Sequence, residues 1–145
     1  MIVIQNSIDD VSVDEPTLCN IMQTVIEDLN KGDSELVIRF VNKNDIRILN
    51  NTYRQQDKTT NVLSFGNDLP IEIDEQILGD VVICTEVVLE ESIEQNKNFK
   101  DHLVHMAVHG TLHLLGFDHD HDDDAVKMES AEITILEKIG ISNPY

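Results

Sequence analysis

The chain has no tryptophan and only two cysteines, three prolines and six glycines among its 145 residues. Cys19 and Cys84 are too few for a disulfide framework and form no C-x-x-C pair. They read as small apolar core residues, and a reducing compartment is the natural inference. No window approaches the ~20 apolar residues of a membrane span. The opening MIVIQNSIDD lacks the basic region and long apolar run of a secretory signal, so a cytoplasmic protein without membrane contact is expected. Basic residues are also scarce, ten Lys and Arg against 28 Asp and Glu, for a net charge of −18. A field of that sign repels a polyanion. What is present in quantity is apolar, 41% of residues, enough for one domain over 1–145 with a real core.

The few cations are not evenly spread. Arg39, Lys43, Arg47, Arg54 and Lys58 fall within twenty positions against only Asp45 and Asp57, so that strip is +3 and the remainder −21. Two readings stay open: a locally basic surface on an acidic body, or the solvated face of a helix.

Periodicity sets the order of elements. Met1 to Gln5 reads as a strand. Asp14 caps a helix with Pro16 in its first turn, and Leu18, Ile21, Met22, Val25, Ile26 and Leu29 recur at helical spacing until Gly32 ends it. LVIRFV, Leu36 to Val41, is a β-branched strand, and Asn44 is expected to cap a second helix with Ile46, Leu49 and Tyr53 on its buried side. RQQDKTT, 54 to 60, is a polar loop. Strands follow at Asn61 to Phe65 and Ile77 to Cys84, separated by GNDLPIEIDE, whose turn-rich composition predicts an exposed excursion. An acidic helix runs from Thr85 to about Asn96, a mostly apolar one starts near Asn98, and a last one starts at Asp122 to Asp124 and ends at Gly140. The order βαβαββααα predicts an α+β fold, a single mixed β-sheet packed with helices, the central helix carrying the histidines.

That central helix holds the chemistry. His109, Gly110, His113, Gly116 and His119 form H-G-x-x-H-x-x-G-x-x-H. His109 and His113 are one helical turn apart on one face and can grip one ion, Gly116 lets the chain leave the helix through a left-handed conformation, and His119 can swing back. Three neutral imidazoles leave a fourth tetrahedral position open, as in catalytic zinc sites. Metzincin proteases place a glutamate general base after the first His; here that position is Gly110, which disfavours peptide hydrolysis by that route. His105 and His121 are rivals to His119 as third ligand. A core or supporting role suits His105 better, because three ligands along one straight helix cannot easily surround an ion, and His102 reads as surface.

VHGTLHLLGFDH (Val108 to His119), YRQQDKTTNVLSF (Tyr53 to Phe65) and LGDVVI (Leu78 to Ile83) together resemble the YbeY family of bacterial zinc-dependent endoribonucleases. Met128, Glu129 and Glu132 of the last helix also follow its pattern. The resemblance covers the chain from about position 36 onward. It implies one Zn²⁺ on His109, His113 and His119, and a functional role for Arg54. It further implies a single-strand-specific activity on rRNA precursor, at the 16S rRNA 3′ end, with a part in ribosome quality control and the ribosomal particle or its proteins as partners. Thr59 stands where the family usually has Pro, and Phe117 where Tyr is common.

The chemistry of the residues agrees with that class. Zinc on three imidazoles brings the pKa of its water from about 15.7 toward about 7, so hydroxide is available without a dedicated base. A guanidinium can hold the charge that develops on phosphoryl oxygens through two parallel hydrogen bonds, a task for Arg54 if its loop lies beside the metal. Asp118 and His121 are near in sequence, but no general acid is identifiable. The alternatives are a metalloprotease-like amide hydrolase and a non-enzymatic ribosome assembly factor with structural zinc.

Overall fold

The structure, a computed structural model, describes residues 1–66 and 77–145. The acidic excursion expected after the third strand lies, from residue 67 on, outside the described residues. Four strands, β1 (Ile2–Asn6), β2 (Glu35–Val41), β3 (Val62–Gly66) and β4 (Ile77–Cys84), form one sheet in the order β1-β2-β4-β3. β1, β2 and β4 are parallel and β3 runs antiparallel to β4, so the sheet is mixed and β3 is an edge. The helices are α1 (Glu15–Asp28), α2 (Lys43–Arg54), α3 (Thr85–Glu94), α4 (Phe99–Leu114) and α5 (Asp122–Lys138). The fold is α+β, as the order of elements predicts.

Strand alternation divides the apolar side chains between two faces. Leu36, Ile38 and Phe40 of β2 and Val81 and Ile83 of β4 join Met22, Val25 and Ile26 of α1, Leu103, Ala107 and Leu112 of α4, and Met128 and Leu136 of α5 in the larger core. Leu63, Val82 and Cys84 point the other way, into a smaller core with Ile46 and Leu49 of α2. The sheet is therefore covered on both faces. Helix α4, largely apolar and almost wholly buried, is the central element of the larger layer.

Local signals set most boundaries. Asp14 accepts from Thr17 N as α1 begins, and Asn98 accepts from Asp101 N at the start of α4. Three boundaries differ from expectation. Helix α2 is capped by Asn42, whose Oδ1 accepts from Asp45 N at 2.8 Å, rather than by Asn44. Helix α1 ends at Asp28 with Leu29 as its C-cap, and Asn30, left-handed at φ 60°, turns the chain before Gly32 is reached. There Lys31 N donates back to Ile26 O, a ring that Asn can close almost as Gly does. Arg54 is the last residue of α2, with Gln55 left-handed at φ 57°, and does not open the loop.

Gly79 marks an irregularity in the sheet. Glu35 faces Ile77 and Leu36 faces Gly79, so Leu78 is an extra residue, a β-bulge on β4. Gly79 takes φ +133°, and a Cβ there would lie 2.4 Å from Phe65 O. The glycine of the LGDVVI segment is thus required by close strand pairing.

Candidate metal centre

The end of α4 is built to turn the chain back. Phe117 N donates to Leu112 O and Gly116 N to His113 O, each at 3.0 Å, the paired bonds of a Schellman ending, with Gly116 at φ +95°. The returning chain places His119 against the helix. Its ring stacks with His109 at 5.6 Å and meets His113 edge-on at 5.0 Å. One ligand nitrogen from each of His109, His113 and His119 lies within 4.8 Å of the other two.

Hydrogen bonds fix how the first two rings face. His113 Nδ1 lies 3.0 Å from Phe117 O, and His109 Nδ1 lies 2.5 Å from Glu132 Oε1. A carbonyl and a carboxylate only accept, so both Nδ1 atoms carry the proton. Each neutral ring then offers an Nε2 lone pair, and these two nitrogens face one another at 3.1 Å. Two lone pairs at that distance repel unless a cation lies between them. Burial, and then the neighbouring His109 and His119, lower the pKa of His113 and favour its neutral, metal-binding form. The donor set fits a zinc ion: three imidazoles, two with their tautomers set by acceptors behind them.

Glu132 is the group that sequence reasoning did not single out for chemistry. It is fully buried, 0% exposed. Its carboxylate accepts from His109 Nδ1, from His105 Nε2 at 2.9 Å and from the Tyr145 hydroxyl. Burial alone would raise its pKa, but the hydrogen bonds from His105, His109 and Tyr145 outweigh that and lower it to about 2. The Tyr145 hydroxyl is pushed up, by burial first and then by the carboxylate it faces. A signal was available: Met128, Glu132, Ile135 and Leu136 lie on one helical stripe, so Glu132 is a lone acid at an inward position.

His105 is buried and supports the centre from behind, as expected. His102 is not a surface residue: it is 4% exposed, with Nε2 3.0 Å from Glu91 Oε1. It continues the His105, His109, His113 face of α4, and that face is turned inward where α4 meets α3. His121 precedes α5 and is exposed, outside the imidazole group formed by His109, His113 and His119.

Arg54 reaches the same place from the other side of the sheet. Val62 and Ser64 of the edge strand face α4, while Leu63 and Phe65 face α2. From the end of α2, Arg54 wraps around this edge. Its Nη2 donates to Ser64 O at 2.8 Å, and its guanidinium sits 5.3 Å from the centre of the Phe65 ring. Ser64 Oγ in turn donates to Gly110 O at 2.8 Å. One cleft of about 760 Å³ is lined by Arg54, Ser64, His109, His113 and His119.

Gly110 has a second role beside lacking a base. A Cβ there would lie 2.6 Å from Val81 Cγ1 and 3.0 Å from Ser64 Oγ, so α4 rests its backbone directly on the sheet. The position after the first ligand faces β3 and β4.

The basic strip is largely neutralised. Arg39 pairs with Asp80 at 3.3 Å, Arg47 with Asp57 at 2.7 Å and Lys43 with Glu90. Arg54 and Lys58 have no ion pair among the described residues.

Comparison with known proteins agrees with this architecture. The family model described as Endoribonuclease YbeY matches residues 3–140. A protein named Endoribonuclease YbeY from Ruthia magnifica subsp. Calyptogena magnifica is 63% identical over 145 residues, all of both chains. One of the same name from Colwellia psychrerythraea is 55% identical over 113 residues, 78% of this chain and 73% of that one. A solution structure from Thermotoga maritima superposes with a TM-score of 0.67 at 26% identity, covering 96% of this chain and 89% of the other. Among the described residues no helix is long and apolar enough to cross a membrane.

Proposed function

This chain belongs to the YbeY endoribonuclease family, and from that premise we propose that it is a zinc-dependent, single-strand-specific endoribonuclease. Its substrate is rRNA precursor, cut during maturation at the 16S rRNA 3′ end and in ribosome quality control, in the cytoplasm and on or near the ribosomal particle. The observation that carries the reading is the shared cleft. Three imidazoles with converging nitrogens and an arginine with no carboxylate partner among the described residues line it together.

His109, His113 and His119 would hold the ion. Zinc bound there supplies Lewis acidity and a water whose pKa falls from about 15.7 toward about 7. The remaining work belongs to the chain. Phe117 O and Glu132 fix the two Nδ1–H tautomers, so the Nε2 lone pairs are presented without reorganisation. Arg54, held by Ser64 O and the Phe65 face, keeps further N–H groups for phosphoryl oxygens, where negative charge grows during attack. A peptide route has no support at Gly110, which is turned to the sheet. The test is metal analysis of the purified protein, followed by RNA cleavage with wild type and Arg54→Ala side by side. Stoichiometric zinc and cleavage that collapses in Arg54→Ala support the reading; zinc without cleavage in either protein favours an assembly factor.

A further inference from the structure

Glu132 is the least solvated charge in the molecule's centre, and it sits behind a ligand rather than in the cleft. Its side chain is 0% exposed, and its only ion-pair partners among the described residues are two imidazoles, His105 and His109. The two carboxylate oxygens are used differently. Oε1 takes the Nδ1 proton of His109, whose other nitrogen faces the metal position. Oε2 takes the Nε2 proton of His105 and the hydroxyl of Tyr145. Three donors and no permanent cation leave a buried negative charge that is hydrogen-bonded but not neutralised, an expensive state in a protein interior.

We propose that Glu132 is the positioning residue of the metal centre, which orients His109, locks its Nδ1–H tautomer and supplies the negative charge that a divalent cation balances. This inference rests on the zinc reading above. His109 transmits the effect: its ring spans from Oε1 of the carboxylate to the meeting point of the Nε2 atoms. His105 and Tyr145 hold the far oxygen so that the carboxylate cannot rotate away. The last helix, which contributes no ligand, is thereby part of the centre. An ordinary structural role, a polar bridge between α4 and α5, makes a different prediction. Removing such a bridge lowers stability and leaves metal affinity alone; removing a positioning charge lowers affinity and relieves the metal-free fold of a buried anion.

Glu132→Gln separates them. Gln keeps one acceptor for His109 Nδ1–H, and its amide can donate to His105, whose Nδ1 has no hydrogen-bond partner among the described residues and which can therefore change tautomer. The fold should persist, with a metal-free Tm equal to or above that of wild type. Zinc affinity, measured by chelator competition, should fall about 10–100-fold. A neutral amide oxygen accepts less strongly than a carboxylate, and the amide can turn its NH2 toward the ring, so ¹⁵N spectra of the metal-free proteins should show the Nδ1–H tautomer of His109 in wild type and a mixture of tautomers in the variant. Wild-type zinc affinity in E132Q, or an unchanged pure tautomer, overturns the proposal. Should E132Q fail to fold, Glu132→Asp keeps the charge but shortens the reach, and it must still weaken zinc. Undiminished affinity in E132D would overturn the proposal equally. Absence of zinc binding by wild type is a distinct result: it defeats the zinc reading itself, while the tautomer spectra still judge the role of Glu132.

Discussion

Gly110→Ala puts the smallest possible side chain where α4 rests on the sheet. The new Cβ would lie 2.6 Å from Val81 Cγ1, 3.0 Å from Ser64 Oγ and 3.2 Å from Val62 Cγ2. Val81 is fully buried, so its methyl has nowhere to retreat and the helix must lift. Overpacking of this kind costs about 1–3 kcal/mol. Replacing Gly by Ala within a helix returns up to about 1 kcal/mol. The net expectation is a loss of about 1–2 kcal/mol, a fall in Tm of about 3–7 °C for a domain of this size. Function should suffer more than stability, because Ser64 touches Gly110 through its hydroxyl and Arg54 through its carbonyl. A lifted helix changes the separation of the imidazoles from the arginine, and a 1 Å misplacement can cost about 10²-fold in rate. Thermal unfolding and RNA cleavage are measured together, with Gly66→Ala as control, since a Cβ on Gly66 meets nothing within 4 Å among the described residues. A Gly110→Ala protein with wild-type Tm and wild-type turnover would refute the reasoning.

His109→Ala and His113→Ala should each lose stoichiometric zinc by metal analysis, as only two ligands remain, whereas His121→Ala should keep it. Arg54→Ala should lower the cleavage rate by on the order of 10²-fold with zinc content unchanged, and Arg54→Lys should recover only part, because an ammonium cannot make the two-pronged contact. Burial lowers the pKa of His102 below 6.5 against the opposing pull of Glu91. Its neutral form therefore contributes stability that is present above about pH 6.5 and lost as the pH falls through the lower folded value. His102→Gln should flatten that part of the acid profile in thermal unfolding of metal-free protein, and an unchanged profile counts against it. With Arg39, Lys43 and Arg47 already paired, the strip offers about two phosphate contacts. RNA binding should then be weak, with a slope of about −1.4 in log K against log salt, a value a titration from low to high salt would expose as wrong if it were several times steeper.

Patterns of one chemical kind over many residues were readable in advance. The β-branched run 36–41, the helical stripe of α1 and the order of elements all survive in the structure, because burial of a period-2 or period-3.6 face decides them. Boundaries that depend on a single hydrogen bond were less so. Asn42 and Asn44 are both good caps, and only the chain's direction out of β2 selects Asn42. The centre divides in the same way. His109, His113 and His119 were visible as a spacing, and the left-handed turn at Gly116 follows from the glycine itself. Arg54 required a resemblance, since nothing local says that the end of α2 wraps around an edge strand to meet α4. His102 and Glu132 depend on which face of α4 turns toward α3 and α5. A lone acid on an apolar stripe is the one sign that the sequence carries of the buried carboxylate.

The acidity of the body and the proposed substrate are reconciled by where counter-charges sit. A net charge of −18 repels RNA at long range. Most of the cations that were candidates for a docking strip spend their charge on Asp57, Asp80 and Glu90. What stays positive in the cleft is Arg54 and, when an ion is held, the metal position. Both act over a few ångströms and both favour the transition state, where phosphoryl charge is greatest, over the ground state. Such a centre gains little from grasping free RNA and much from having a strand delivered to it. On the proposed function, substrate selection would rest on the particle that presents the strand, and the acidic surface would repel RNA that is not so presented.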